Sequence, residues 1–163
     1  MAQNFFANTS TIGFDPANGS ATALFAVGTH MLGSGDTEWV YVQAATSING
    51  LTMVAYNATY TAGMASGGDV VTLGSKLATA QTSISSQAYG WVCVRGMGLT
   101  IQQTGTSSAL GVVCLGASGV PTGVLCNQIT ASNTLAGVSL VATASSTYGT
   151  FNLTWPRGFS PGT

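Results

Sequence analysis

The sequence predicts an all-β fold: a small β-barrel, a jelly roll or a tulip-like sandwich with an extended N-terminal arm. Two observations support this fold class. Short runs of β-branched, aromatic and small apolar residues recur at spacings of roughly ten residues, which is typical of sandwiches and barrels. Glycine-rich and Asn-Gly turns separate these runs. The helical alternatives are a single turn within residues 76–80 and a helix of moderate length over residues 78–88.

The clearest strand covers residues 38–44 and alternates between two faces. Trp39, Tyr41 and Gln43 fall on one face, and small aliphatic residues fall on the other. Asn49-Gly50 is a tight-turn dipeptide of the kind that joins the strands of a hairpin. Residues 51–56 are therefore predicted to return as the next strand.

The stretch from Gln87 to Gly98 is predicted to be the central strand of the core. It contains Trp91, one of three tryptophans, and Arg95, one of three cationic side chains. Tyr-Gly precedes its apolar run and Arg-Gly-Met-Gly follows it, so glycine is expected to bound the strand at both ends. Further short strands are predicted at residues 70–73, 76–80, 99–103, 111–115, 124–129, 137–142 and 151–155.

Residues 1–35 are predicted to form the arm, and residues 36–163 the β domain. A division of the β domain into two units, at about 36–98 and 99–158, is an alternative. The arm is rich in Asn and Gly and has no clear period. It either lies across a partner and places each aromatic ring in a pocket, or wraps its own domain. Its candidate anchors are Phe5, Phe6, Phe14 and Phe25.

Charge is scarce in this chain: only 4% of its residues are Asp, Glu, Lys or Arg, against roughly 25% in an ordinary domain. Its surface must therefore consist of neutral polar residues, be covered by other subunits, or both. With a formal net charge of −1, the chain has no excess of basic residues that could contact phosphates, so we expect no nucleic-acid partner. No apolar run reaches the length of a membrane helix or a secretory signal, so we expect no membrane partner and synthesis in a host cytoplasm.

The sequence offers little for catalysis. His30 is the only histidine, no nucleophile elbow occurs, and no cluster has the spacing of a metal or phosphate site. We therefore expect no catalytic residues, no metal and no cofactor. Cys93, Cys114 and Cys126 are interpreted as buried reduced thiols, with a Cys114–Cys126 disulfide as the alternative.

Two rare side chains and three aromatic residues are the remaining candidates. Arg95 and Arg157 each lie where a predicted strand reaches a glycine, so each is a candidate to pair with a carboxylate across a subunit boundary. A solvated arginine at a strand end is the alternative. Trp39, Tyr41 and Trp91 are interpreted as core or subunit-interface residues, or else as part of a glycan-binding surface.

The segments Gly-Asp-Thr-Glu-Trp-Val-Tyr-Val-Gln-Ala, at 35–44, and Ala-Tyr-Gly-Trp-Val-Cys-Val-Arg-Gly, at 88–96, resemble the capsid decoration or cement proteins of tailed bacteriophages. The resemblance covers about residues 30–100 and implies a β-barrel, tulip-like or jelly-roll fold. It further implies a non-enzymatic virion protein on the capsid surface, a homotrimer that binds junctions between major capsid subunits and stabilises the shell. The alternative role is a head-fibre, tail-fibre or spike module that binds a host receptor or glycan.

Overall fold

The computed structural model describes residues 15–66, 69, 76–104, 114–115, 125–126, 134–145 and 147–159. The fold is all-β, which confirms the predicted fold class. None of these residues belongs to a helix with the length and hydrophobicity that a membrane-spanning helix requires. The strands are β1 (His30–Leu32), β2 (Glu38–Ala44), β3 (Thr52–Tyr56), β4 (Thr61–Met64), β5 (Lys76–Ala80), β6 (Tyr89–Thr104), β7 (Cys114–Leu115), β8 (Leu125–Cys126), β9 (Thr134–Ser145) and β10 (Tyr148–Phe159).

Five strands close into a barrel. Going round the barrel, β2 pairs with β4, β4 with β3, β3 with β5, β5 with β6, and β6 returns to β2. All these pairings are antiparallel except β2–β4, which is parallel. Closure satisfies the backbone groups that an open sheet would leave unpaired at its edges.

The barrel interior is filled mainly with small side chains. A five-stranded barrel is narrow, and its inward-facing positions alternate with outward-facing ones along every strand. The inward positions of β2 are accordingly Val40, Val42 and Ala44, all buried. The same cluster contains, from the other barrel strands, Val54, Tyr56, Ala62, Ala78, Ala80, Val92 and Val94.

Strand β6 is 16 residues long and belongs to two layers. Its first half lies in the barrel, whereas residues 99–102 pair with β10, which in turn pairs with β9. The prediction that the strand ends at Gly98 is wrong. Gly98 instead has a φ of 69°, lies at a bulge opposite Asn152, and donates a backbone hydrogen bond to the Asn152 side chain at 3.0 Å. Glycine here bends the strand without ending it.

The large side chains lie between the barrel wall and this outer layer. Trp39 and Tyr41, on the outward face of β2, are as completely buried as the valines that alternate with them. The alternation predicted for this strand is therefore confirmed, and both of its faces are buried. The outer cluster also includes Met53, Leu77, Trp91, Cys93, Leu99, Ile101, Leu135, Phe151 and Leu153.

Residues 15–29 run along their own body. Ser20 exchanges two backbone hydrogen bonds of 2.8 Å with Tyr89, and the Leu24 amide donates to the Tyr41 hydroxyl at 3.1 Å. The Phe25 ring packs edge-on against Tyr41 and Trp91, with centroid separations of 5.4 and 5.2 Å. This part of the predicted arm therefore covers the aromatic side of its own core.

The prediction that Asn49-Gly50 joins β2 and β3 in a hairpin is wrong, although the strand predicted to follow this turn exists. β3 pairs with β4 and β5 and not with β2, because the two edges of β2 are taken by β6 on one side and by β1 and β4 on the other. In place of a hairpin, residues 45–51 form a connection that Ile48 holds to Ile84 by two backbone hydrogen bonds.

The other predicted strands have different outcomes. The strand at 76–80 is confirmed with the same bounds, which excludes a helix there, and those at 99–103, 137–142 and 151–155 lie within longer strands. Only short pieces of the two at 111–115 and 124–129 fall in the described residues, and the one at 70–73 lies outside them.

Strand β10 carries a wide bulge opposite Gly137. Leu153 pairs with Val138 and Arg157 with Ala136, so the three residues 154–156 face the single residue Gly137. Gly137 has a φ of 76°, and a Cβ built on it would lie 2.4 Å from the Thr154 carbonyl oxygen. Only glycine fits at this position.

We predict that Gly137→Ala destabilises the protein by about 3 kcal/mol, since it combines left-handed strain with a backbone clash. Gly35→Ala is the matched control, because Gly35 has a φ of 66° with nothing within 4 Å of its built Cβ. It should lose only about 1 kcal/mol. Urea unfolding followed by tryptophan fluorescence measures both, and equal losses would show that the clash at the bulge has no cost.

Candidate functional site at the charged end of the barrel

The strands bring most of the scarce charges to one end of the barrel. The chain has three Lys or Arg, four Asp or Glu and one His. The register places the start of β2, the start of β5 and residue 95 of β6 at the same end. We call this the charged end, and it consists of His30, Asp36, Glu38, Lys76 and Arg95.

Arg95 is the centre of this group. Its Nη2 donates to Asp36 Oδ1 at 2.8 Å, and its Nε lies 3.9 Å from Glu38 Oε2. The Nε is buried and has no hydrogen-bond partner. The Asp36 side chain is 72% exposed, so solvent screens the shorter pair and limits its contribution to at most about 1 kcal/mol.

His30 extends the group onto the edge strand β1. Its Nδ1 lies 3.0 Å from Glu38 Oε1 and donates to that oxygen, since a carboxylate only accepts. The Glu38 side chain is therefore held between a histidine and an arginine. Both carboxylates at this end thus have cationic or donor partners from their own chain.

Trp155 completes this end from the bulge of β10. It has a φ of 50°, which is rare for a large side chain, and it is 40% exposed. Its ring stacks on the His30 ring with a centroid separation of 6.0 Å and an interplanar angle of 28°. Because β6 and β2 lie between β10 and β1, a distance of roughly 14 Å at ordinary strand spacing, the indole reaches across the end of the barrel.

Lys76 lies over two tyrosine rings at the same end. Its Nζ is 5.9 Å from the Tyr56 ring centroid and 5.5 Å from that of Tyr60, and the two rings stack on each other. Burial raises the pKa of Tyr56 to about 12, with smaller contributions from Tyr60 and from the Glu38 charge. The Glu38 charge therefore lies close enough to Tyr56 to disfavour ionisation of its hydroxyl.

The aromatic candidates Trp39, Tyr41 and Trp91 lie in the core. Their exposed fractions are 1%, 2% and 3%, so their rings are closed to a glycan. The Trp39 indole nitrogen donates to the Thr37 hydroxyl at 3.0 Å. The Tyr41 and Trp91 rings contact each other with centroids 4.9 Å apart.

Two of the six interface candidates contact their own chain, and the side chains of the other four lie outside the described residues. Phe25 packs into its own core, and Arg95 pairs with carboxylates of its own chain. Phe5, Phe6 and Phe14 lie outside the described residues, as does the side chain of Arg157, whose backbone pairs with Lys76.

Cysteine and metal chemistry find no support in the described part of the chain. Cys93 is fully buried, and burial raises the pKa of its thiol to about 12, so the reactive thiolate is scarce at neutral pH. Among the described residues, no group of three or more His, Cys, Asp or Glu is placed to hold a metal ion. The backbone register places Cys114 opposite Cys126, and the side chains of both lie outside the described residues.

Sequence reasoning considered the acids and Arg95 but not Trp155, the only exposed tryptophan in the described ranges. The available signal was Trp-Pro-Arg-Gly at 155–158, in which a proline within a predicted strand indicates a bulge. No protein-family model matches the chain, and no curated protein or solved structure matches it.

We predict that folding stability falls as the pH rises from about 10 to about 12. The pKa of Tyr56 is higher in the folded state than its ordinary value of 10.0, so folding favours the protonated phenol and this stabilisation is complete below pH 10. A shift of this size corresponds to about 2 to 3 kcal/mol. Urea unfolding across this pH range measures the loss.

Tyr56→Phe provides the control for this prediction, because it removes the titrating hydroxyl and keeps the ring. The variant should lose about 2 to 3 kcal/mol less than the parent between pH 10 and 12. Between pH 7 and 9 the difference between the two proteins should be constant. Parallel curves up to pH 12 would contradict the assignment to Tyr56.

Proposed function

We propose that the protein is a structural component of a tailed-bacteriophage virion. In this role it binds the assembled capsid at junctions between major capsid subunits and stabilises it, as a decoration or cement protein. The observation that supports this proposal best is the segregation of charge. Outside the charged end, the described charged side chains are Asp15 and Asp69, and both accept hydrogen bonds within their own turns.

The rest of the described surface therefore has only these two charged side chains, and several large apolar side chains are exposed on it. Such a surface gives little mutual repulsion, which favours close association with neighbouring subunits. In an assembled shell, neighbouring subunits would cover the exposed apolar residues. Outside the charged end, these are Leu24, Val27, Met97, Val141 and Tyr148.

The proposed mechanism is binding by mass action. A protein that binds the assembled shell better than free subunits stabilises the shell by the free energy of that binding. An interface of ordinary size buries roughly 800 Å² on each partner. Repeated at every junction, even modest binding at each site resists the outward pressure of packaged DNA. This role requires no catalytic group and no cofactor, and we propose a homotrimer, as the resemblance to decoration proteins implies.

The copy number of the protein tests this role. Quantitative mass spectrometry of purified particles should find one copy per major capsid subunit or one per three. A few copies per particle would instead assign the protein to a fibre or tail. Absence from the particles would refute any virion role.

We predict that removing residues 1–14 weakens binding to the shell at least tenfold and leaves the body folded. Every contact described for residues 15–35 remains in this variant. The removed segment contains the candidate anchors Phe5, Phe6 and Phe14. Co-sedimentation with shells that lack the protein measures binding, and thermal melting measures folding.

A longer deletion, of residues 1–28, is the contrasting variant. It removes Phe25 and exposes Tyr41 and Trp91, so it should lower the melting temperature. Unchanged binding by the shorter variant would show that the first 14 residues are not the anchor.

A further inference from the structure

The bulge of β10 presents Trp155 at a cost in backbone strain. Two residues with left-handed φ values, Gly137 at 76° and Trp155 at 50°, face each other across the β9–β10 pair. Strained residues of this kind persist where the surrounding structure enforces them, and they concentrate at functional sites. Bulges likewise redirect a side chain next to such sites. The fold thus enforces an exposed indole where a relaxed strand would not place one.

Trp155 and His30 form a ring pair beside a fixed set of polar groups. The row of paired residues Leu32, Glu38, Arg95 and Thr154 crosses the four strands β1, β2, β6 and β10 next to these rings. This row contains an acid and a guanidinium group, and Asp36 adds a second acid that is mostly exposed. Hydrogen-bond donors and acceptors therefore lie within reach of a molecule placed on the indole.

The ion pairs restrict the class of ligand. The two negative charges of Asp36 and Glu38 are balanced by the positive charges of Arg95 and Lys76. This end therefore has no net charge that would attract a phosphate, a sulfate or an acidic sugar. A cation is disfavoured as well, because both carboxylates already have donors from their own chain. A neutral molecule with hydroxyl groups and one apolar face fits, since it binds the fixed polar groups without displacing a charge.

We propose that this end of the barrel binds a neutral saccharide, with the C–H face of a pyranose ring on Trp155. The hydroxyl groups of the sugar would bond to Asp36 and to the free donor positions of Arg95. The ion pairs hold these polar groups in place before binding, which lowers the entropic cost of association. This site is separate from the capsid-binding role, and it lies in a different place from the buried aromatic residues that the sequence indicated.

A glycan array carrying neutral, sialylated and sulfated glycans, probed with the full chain, tests the proposal. We expect signal on neutral glycans. Saturation-transfer NMR with maltotriose, chitotriose and lactose should then detect binding of at least one of them, with contacts on the C–H face. Signal on acidic glycans alone, or on none, would overturn the proposal.

Three variants separate binding from folding. Trp155→Gly should reduce the affinity for the best trisaccharide or disaccharide at least tenfold and keep or raise the melting temperature, because glycine adopts this φ without strain. Trp155→Phe, with a smaller ring, should keep part of the affinity. Tyr148→Ala removes an exposed aromatic residue of the same strand and should bind like the parent. Parental affinity in Trp155→Gly, or an equal loss in Tyr148→Ala, would refute the site.

Discussion

The architecture depends on one strand being shared between two layers. β6 supplies Val92 and Val94 to the narrow interior of the barrel, and Trp91 and Cys93 to the space outside it. Neither face of the strand is available to solvent over this stretch. Both layers must therefore form before β6 is fully buried, and the outer layer is a requirement of the fold and not an addition to it.

This arrangement explains the distribution of side-chain size. Alanine and valine fill the barrel because five strands enclose little volume. Trp39, Tyr41, Trp91 and Phe151 lie outside, where β9, β10 and Phe25 cover them. Burying large rings beneath a second layer provides the apolar area that such a small barrel lacks. It also leaves the ends of the barrel as the places where polar side chains are exposed to solvent.

The sequence predicted the local structure better than the pairing. The alternation of residues 38–44 and the bounds of β5 follow from local side-chain pattern, which the chain expresses directly. Strand pairing depends on distant segments, so the Asn49-Gly50 dipeptide led to a wrong prediction of which strands pair. Gly98 shows the same ambiguity, because a glycine that ends a strand and a glycine that bends one look alike in the sequence. The acids that pair with Arg95 were identifiable because acids are scarce in this chain. The placement of Trp155 was not, because its left-handed backbone contradicts the preference of its residue type.

The continuity of β6 has a mechanical consequence. At about 3.3 Å per residue, the backbone of this strand runs for roughly 50 Å. It is hydrogen-bonded to the barrel at one end and to β10 at the other. A force applied to the outer layer reaches the barrel by shearing many parallel hydrogen bonds together, with no flexible linker to extend first. The body should therefore yield as a unit under tension.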